Sequence, residues 1–270
     1  MGSPSLTLAM LRRRYVDGSR ALPAEIEHAL RGDQRPGAQA ILAAVARRRR
    51  ANRSEGQRLR TMLRFEVTLW ERGFSRVAGI DEAGMSPLAG PVAAAAVIFP
   101  PGTRIPGVDD SKKLDARARE ELAPVIRAAA LASAVAFVEP EEIDRLNIHH
   151  AGLAAMTRAL RALGLDPEHV LIDGRHRLRE VAFPQQAIVG GDAKSLTIAA
   201  ASILAKTARD ARMSELDALY PGYGFLQHKG YPVAAHFAAL RRLGPCPIHR
   251  RSFAPVQQAL RRKPGAPART

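Results

Sequence analysis

Gly79-Ile80-Asp81-Glu82-Ala83-Gly84-Met85-Ser86-Pro87-Leu88-Ala89-Gly90-Pro91-Val92 is the stretch on which the reading of the fold turns. The apolar run over 77–81 reads as a strand that closes on two adjacent carboxylates, followed at once by Gly and Pro breakers. Carboxylates at the tip of a buried strand are costly unless a cation compensates them, often a metal. Neighbours on a strand point to opposite faces. Asp81 and Glu82 therefore serve one site only if the backbone turns at Glu82, which Ala83-Gly84 permits. In a chain with 41 Lys and Arg against 26 Asp and Glu, this acidic point suggests a metal site that faces a polyanion.

Outward from there, residues 91–99 read as a second strand of small residues suited to a crowded sheet, and 133–138 as a third. Helices are expected over 116–130 and 147–163. His169-Val170-Leu171-Ile172-Asp173-Gly174 is a short buried strand that ends on a carboxylate and a Gly. Residues 181–189 read as another strand, interrupted by Pro184. Asp192 then stands at the N-cap position of a long Ala-rich helix that runs to about residue 219. Strands and helices alternate, so the class is α/β or α+β with a mixed sheet.

Residues 1–75 differ from the rest. They hold 15 Arg, no Lys and 7 acidic residues, including the run Arg47 to Arg50. Helices are expected from Pro23 to 31, then over 38–50 and 55–72, with Gly32-Asp33 and Pro36-Gly37 as breaks. Leu59, Met62, Leu63, Leu69 and Trp70 recur at helical spacing and form one apolar face for packing on the main domain. The main domain is expected from residue 76 to 262, and a disordered tail over 263–270.

With 270 residues, 46% of them hydrophobic, the chain is long enough for one sizeable core. A net charge of +15 favours a nucleic acid or an anionic membrane as partner. No segment is long and apolar enough to span a membrane. The single cysteine, Cys246, excludes an intramolecular disulfide and a Cys-rich zinc site, and suits a reducing cytoplasmic setting.

Asp81, Asp173 and Asp192 share one pattern: each sits at a strand tip or helix start after an apolar run. Ligands at the carboxyl ends of strands are how open α/β sheets build active sites. Carboxylates without Cys or clustered His are hard oxygen donors, suited to Mg²⁺ or Mn²⁺. Two such ions activate a water and stabilise the leaving oxygen of a phosphodiester.

The sequence resembles bacterial ribonuclease HII, a type 2 ribonuclease H, over about 78–256. The resemblance rests on Gly-Ile-Asp81-Glu82-Ala-Gly, Asp110-Ser111-Lys112-Lys113-Leu114, Ile172-Asp173-Gly174 and Gly191-Asp192-Ala193-Lys194-Ser195. It continues through the helix to Lys206, Tyr220-Pro-Gly-Tyr-Gly-Phe, His228-Lys229-Gly230-Tyr231-Pro232 and His249-Arg250-Arg251-Ser252-Phe253. The Arg-rich N-terminal helices look like the extension of longer family members.

The resemblance implies a ribonuclease H-like mixed five-stranded sheet flanked by helices, with a helical N-terminal extension and a helical C-terminal segment. It implies hydrolysis of the RNA strand of RNA–DNA hybrids and cleavage 5′ to ribonucleotides embedded in duplex DNA, leaving 5′-phosphate and 3′-hydroxyl ends. Asp81, Glu82, Asp173 and Asp192 correspond to the catalytic, metal-binding carboxylates of a two-metal Mn²⁺ or Mg²⁺ site. Tyr231 matches the tyrosine that stacks near the ribonucleotide sugar. Ser111 and Lys112 resemble the phosphate-contacting loop. Lys194, Lys206 and Arg209 lie on the helix that Asp192 opens and face the nucleic-acid channel. A monomer is expected, and the C-terminal tail carries no hydrophobic-aromatic motif for docking on a sliding clamp.

One departure matters. The family carries Gly-Arg-Gly where this chain has Gly84-Met85-Ser86, the element whose backbone approaches the ribose 2′-hydroxyl. If residue 86 needs a positive φ or an open backbone, Ser is disfavoured there, and Met removes a charge and five donors. The alternative expectation is a nucleic-acid binding homologue with impaired or relaxed ribonucleotide recognition.

Overall fold

The computed structural model describes residues 7–261, so the tail expected over 263–270 lies outside the described residues. The chain divides into two compact units, 1–60 and 61–270.

In the first unit, α1 (Leu8–Arg12) continues as a π-helical turn, Arg13–Asp17, and is followed by α2 (Ala24–Gly32) and α3 (Pro36–Met62). Pro23 is the N-cap of α2 instead of its first helical residue. The long α3 corrects the expectation of two helices over 38–50 and 55–72. Pro36 begins this helix instead of breaking it, because its missing N–H is one the first turn leaves unbonded anyway. Residues 51–54 contain neither Gly nor Pro, so nothing there stops propagation. Leu11, Tyr15, Leu30, Ala38, Ile41 and Val45 form this unit's core. Arg48 forks onto the carbonyls of Tyr15 and Arg20, both at 2.7 Å, and Arg49 pairs with Glu27 at 2.7 Å. Arg47 and Arg50 remain exposed.

The second unit begins with the end of α3 and α4 (Arg64–Glu71). It continues through β1 (Val77–Ala83), β2 (Val92–Ile98), α5 (Ala116–Ala129), β3 (Ala132–Val138), α6 (Pro140–Leu146), α7 (Ile148–Arg161), β4 (His169–Asp173) and β5 (Gln185–Ile188). A 3-10 turn, Gly191–Ala193, then leads into α8 (Leu196–Leu219), α9 (Phe225–His228), α10 (Ala234–Leu243) and α11 (Ala254–Arg261). The sheet is mixed and five-stranded, in the order β3-β2-β1-β4-β5. β1 runs antiparallel to β2 and parallel to β4. The fifth strand starts only after Pro184, which has no N–H to give to a ladder.

Every residue of β2 is buried, and its four consecutive alanines let helices close on both faces. On one face, Ala78, Ile80, Ala94 and Ala96 pack with Ala151, Ala155 and Ala159 of α7. On the other, Val77 and Leu171 meet Ile198 of α8 and Leu69 of α4. α8 crosses β1 at Gly79, where a Cβ would lie 2.3 Å from the Thr197 carbonyl carbon. Only glycine admits the helix backbone so close, and that approach brings the start of α8 to the carboxyl end of β1.

Candidate active site

β1 does not turn at Glu82 as the sequence reading required. Its ladder with β2 runs on through Asp81↔Ala95, Glu82↔Ala94 and Ala83↔Ala93, and the chain turns only at Gly84, with φ +96°. Pairing of β1 with β4 ends at Ile80↔Ile172, three residues before the β2 ladder ends at Ala83. Asp81 and Glu82 thus leave the strand from opposite faces, beyond the last residue paired with β4. Asp81 lies on the α8 side, where Ser202 is its hydrogen-bond partner. Glu82 lies on the α7 side, its Cγ 4.0 Å from the position a Cβ on Gly152 would take. Asp173, at the end of β4, is level with Asp81 in the parallel register, and its Oδ1 accepts from Gly191 N at 2.6 Å.

Asp192 is buried in the 3-10 turn instead of capping α8, which corrects the N-cap assignment. Its side chain is committed elsewhere: Oδ1 accepts from Ala193 N at 3.0 Å and Oδ2 from Lys112 Nζ at 2.8 Å. Ser195 caps the helix, accepting from Ile198 N.

The electrostatics follow from this crowding. Burial, then the charges of Glu82 and Asp173, hold the Asp81 carboxyl well above the usual carboxylate range. Burial and Asp173 push Glu82 up to about 7. Burial and Asp192 raise Asp173. Burial disfavours the Lys112 ammonium, but its hydrogen bond to Asp192 and the charges of Asp192 and Asp81 outweigh that cost and raise its pKa. The four acids feel one another's charges. Among the described residues, however, no three His, Cys, Asp or Glu side chains close on a single cation position, as expected of like charges approaching from two sheet faces.

The remaining residues singled out in the sequence divide into three groups. Lys194 and the 84–86 turn border the carboxylates along the chain, Lys112 reaches Asp192 across the fold, and Lys194 gives its ammonium to the Val189 carbonyl. Lys206 and Tyr231 form a second group: the Lys206 ammonium lies 5.4 Å from the Tyr231 ring centre and pairs with Asp210 at 2.6 Å. Ser111 and Arg209 face inward, although the Arg209 guanidinium still lies 5.6 Å from the Tyr231 ring centre. Ser111 is buried and meets Ser202 Oγ at 2.8 Å, so it props the partner of Asp81. Arg209 is fully buried, with Nε on Pro91 O at 2.9 Å and Nη2 on Ala89 O and Lys229 O.

Three supporting groups escaped the sequence reading. Glu66 on α4 is fully buried; its Oε1 accepts from Ser195 Oγ at 2.6 Å and from Thr197 N and Oγ1, both at 2.9 Å. It clamps the start of α8 three residues after Asp192. Its signal was a carboxylate in phase with Met62, Leu69 and Trp70 on an otherwise apolar helix face. Arg250, also fully buried, reaches Gly84 O at 2.6 Å, Gly90 O at 3.0 Å, Met85 O at 3.1 Å and Pro91 O at 3.2 Å. Nothing local in the sequence announces partners some 160 positions away.

The third group is a pair of histidines behind Tyr231. Cys246 N donates to His249 Nδ1 at 3.0 Å, which leaves His249 Nε2 as the donor to His236 Nε2 at 3.1 Å. His236 then donates through Nδ1 to the Tyr231 carbonyl at 2.9 Å. Burial keeps both rings neutral, lowering His236 and pushing His249 down to about 4.

The 84–86 turn answers the backbone-strain half of the steric question. Among the described residues the non-glycine residues with positive φ are Ser19, Asn147 and Lys229, so Ser86 carries no backbone strain. Met85 packs against the core on the α7 side, and Gly152 leaves room for it: a Cβ there would lie 3.0 Å from the Met85 sulfur.

Comparison with known proteins agrees with this architecture. The pattern of the family described as Ribonuclease HII matches residues 78–256, and that described as Ribonuclease HII N-terminal domain matches 20–70. The ribonuclease HII of Anaeromyxobacter sp. is 61% identical over 94% of this chain and 81% of its own length. That of Myxococcus xanthus is 54% identical over 96% and 89%. Among solved structures, ribonuclease H2 from Pyrococcus horikoshii superposes with a TM-score of 0.60 at 26% identity, covering 68% of this chain and 96% of that one. The ribonuclease HII of Archaeoglobus fulgidus, solved in complex with PCNA, gives 0.56 at 26% identity, covering 69% and 97%. With matched elements in one order from the N-terminal helices to α11, the chain belongs to the ribonuclease HII family.

Proposed function

We propose that the protein is a metal-dependent endonuclease that hydrolyses the RNA strand of RNA–DNA hybrids and cuts 5′ to ribonucleotides embedded in duplex DNA, leaving 5′-phosphate and 3′-hydroxyl ends. The observation that supports this reading is the electrostatic coupling of Asp81, Glu82, Asp173 and Asp192, brought from three chain segments, where burial and mutual repulsion raise the pKa values of Asp81, Glu82 and Asp173. Such a group of acids is electrostatically unfinished, and one ammonium, that of Lys112, sits against it.

This donor set fits divalent Mn²⁺ or Mg²⁺: all four groups are hard oxygens, and their repulsion falls when cations enter. Asp81, Glu82, Asp173 and Asp192 would hold the ions, which supply water activation and charge stabilisation at the phosphate. The chain's own residues prepare that chemistry. Ser111 and Ser202 fix Asp81, Gly191 N fixes Asp173, and Glu66 fixes the helix start behind Asp192. Lys112 offers an ammonium that exchanges Asp192 for a phosphate oxygen. Tyr231, its carbonyl held by the histidine pair and its ring beside Lys206, presents an aromatic surface to the ribose. Arg250 holds the carbonyls of residues 84 and 85, so the turn offers its backbone to the 2′-hydroxyl in a fixed form. The alternative of a nucleic-acid binding homologue with impaired or relaxed ribonucleotide recognition loses one of its supports, a need for positive φ at Ser86, while the exchange of Arg for Met85 still bears on it.

The test is a duplex DNA with one embedded ribonucleotide, incubated with pure protein and Mg²⁺ or Mn²⁺. Cleavage on the 5′ side of the ribonucleotide, with no cutting of the all-DNA duplex, is the expected result. No cleavage with either metal overturns the proposal.

A further inference from the structure

We propose that the groove between the start of α7 and the 174–180 segment is a binding site for the phosphodiester backbone of the nucleic-acid strand that flanks the scissile phosphate. This rests on the functional reading above and extends it to a second site on the same unit.

The groove holds about 700 Å³. Its walls carry five arginines and two glutamates. Arg158 and Arg161 are spoken for, by Glu142 at 2.5 Å and Glu180 at 3.2 Å. Arg175, Arg177 and Arg179 are exposed and have no carboxylate partner among the described residues. The segment bends at Gly174-Arg175 and turns at Arg179-Glu180, and all three arginines line the groove. Three unpaired cations on one wall suit a repeating anion better than a single one. The volume suits a stretch of polymer far better than a single phosphate.

The opposite wall adds aromatic surface. His149 meets His176 edge-on at 4.7 Å between ring centres, and His150 at 5.4 Å, so imidazoles bridge the helix start and the segment. His149 and His176 are exposed and have no hydrogen-bond partner among the described residues. They are free to donate to phosphate or to pack on sugar and base. α7 is 14 residues long with no acid in its first turn, so the positive end of its dipole adds to the field.

The position of the groove fixes its role. Its cationic segment leaves directly from Asp173 through Gly174, so Arg175 lies within about 7 Å of that acid along the backbone. His149 lies one turn before Gly152, the residue against which Met85 and Glu82 pack. A strand whose scissile phosphate sits at the carboxylates continues into this groove.

The experiment compares the full-length wild type with two variants, R175Q/R177Q/R179Q and H149A/H176A. Binding of a duplex with one embedded ribonucleotide is followed by anisotropy in EDTA across a salt series, and cleavage is followed with Mn²⁺. The arginine variant is expected to lower the slope of log K against log salt by about 2 to 3, since each neutralised phosphate contributes about 0.9. Its KM rises about tenfold or more at physiological salt while kcat holds. The histidine variant raises KM about fivefold. Trimming the duplex on the flank that enters the groove brings the wild type down to the slope of the arginine variant and costs that variant nothing more. An unchanged slope and KM on the long duplex, in a variant that melts like the wild type, overturns the proposal while leaving the endonuclease reading intact. The binding arm needs no turnover, so a failure of cleavage by the wild type strikes the functional reading separately.

Discussion

The carboxylate cleft and the loop beside it bury opposite charges in opposite ways. In the cleft, Asp81, Glu82, Asp173 and Asp192 crowd like charge, and the nearest counter-ion is one ammonium on an exposed side chain. Against the loop over 84–91, Arg209 and Arg250 are also buried, and all three nitrogens of Arg250 end on backbone carbonyls, as do Nε and Nη2 of Arg209, whose Nη1 has no partner among the described residues. Burial, with Arg209 nearby, pushes Arg250 down to about 9, so it stays charged at neutral pH. The difference separates chemistry from scaffold. A buried charge whose partners are carbonyls of its own fold is finished, whereas buried charges that repel one another are held there by the fold for something that arrives later.

The strongest way to break this comparison is to neutralise one member of each region. Asp81→Asn and Asp173→Asn are expected to lower kcat by more than about 10³-fold while the metal-free protein melts no lower than the wild type, because repulsion is relieved. Loss of thermal stability in parallel with activity would instead make these acids scaffold. Arg250→Ala should do the reverse, costing about 3 kcal/mol or more in urea titrations because several buried carbonyls lose their donor. Arg250→Lys should recover less than half of that, since an ammonium cannot fork among four carbonyls.

pH sharpens the contrast at intermediate effect. Glu82 has a folded pKa of about 7 against 4.5 unfolded, so the native state keeps a proton that the unfolded chain has released. Metal-free stability therefore falls as pH rises from 4.5 to 7, and Glu82→Gln should reduce that slope, to which the raised Asp81 and Asp173 also contribute. His249 behaves oppositely. Its folded pKa of about 4 lies below 6.5, so stability rises with pH over that window, and His249→Gln should flatten it. Melting curves across pH 4 to 8 for the two variants check both signs. The smallest effect belongs to Ser86→Gly. With no positive φ at residue 86, stability should move by less than about 0.5 kcal/mol and kcat/KM on the ribonucleotide duplex by less than about threefold. A large gain would restore the idea of impaired recognition.

Much of this was legible in the chain. The alternating strands and helices, the mixed sheet and the acids at segment tips follow from apolar period and breaker residues, which act locally. Where the reading slipped, a non-local contact had overridden a local rule. Asp192 is a good N-cap residue, but Lys112 claims its oxygen and leaves the cap to Ser195. Ser111 and Arg209 are polar and looked exposed, yet Ser202 and the carbonyls of residues 89, 91 and 229 draw them inside. Glu66 stood in plain view on an apolar face, its partners 129 and 131 positions further on.

What the sequence determined by itself is the chemical inventory: four acids at element ends, no thiol or imidazole cluster to compete for a metal, and a polycationic remainder suited to a polyanion. Those properties are additive over residues and need no coordinates. What only the tertiary structure decided is which charges are answered. Asp81 and Glu82 share a cleft because β1 outruns β4. Arg250 is silent because Gly84, Met85, Gly90 and Pro91 turn their carbonyls toward it. Whether a buried charge is stabilised depends on the partners within a few ångströms, and the chain brings those partners from more than a hundred residues away.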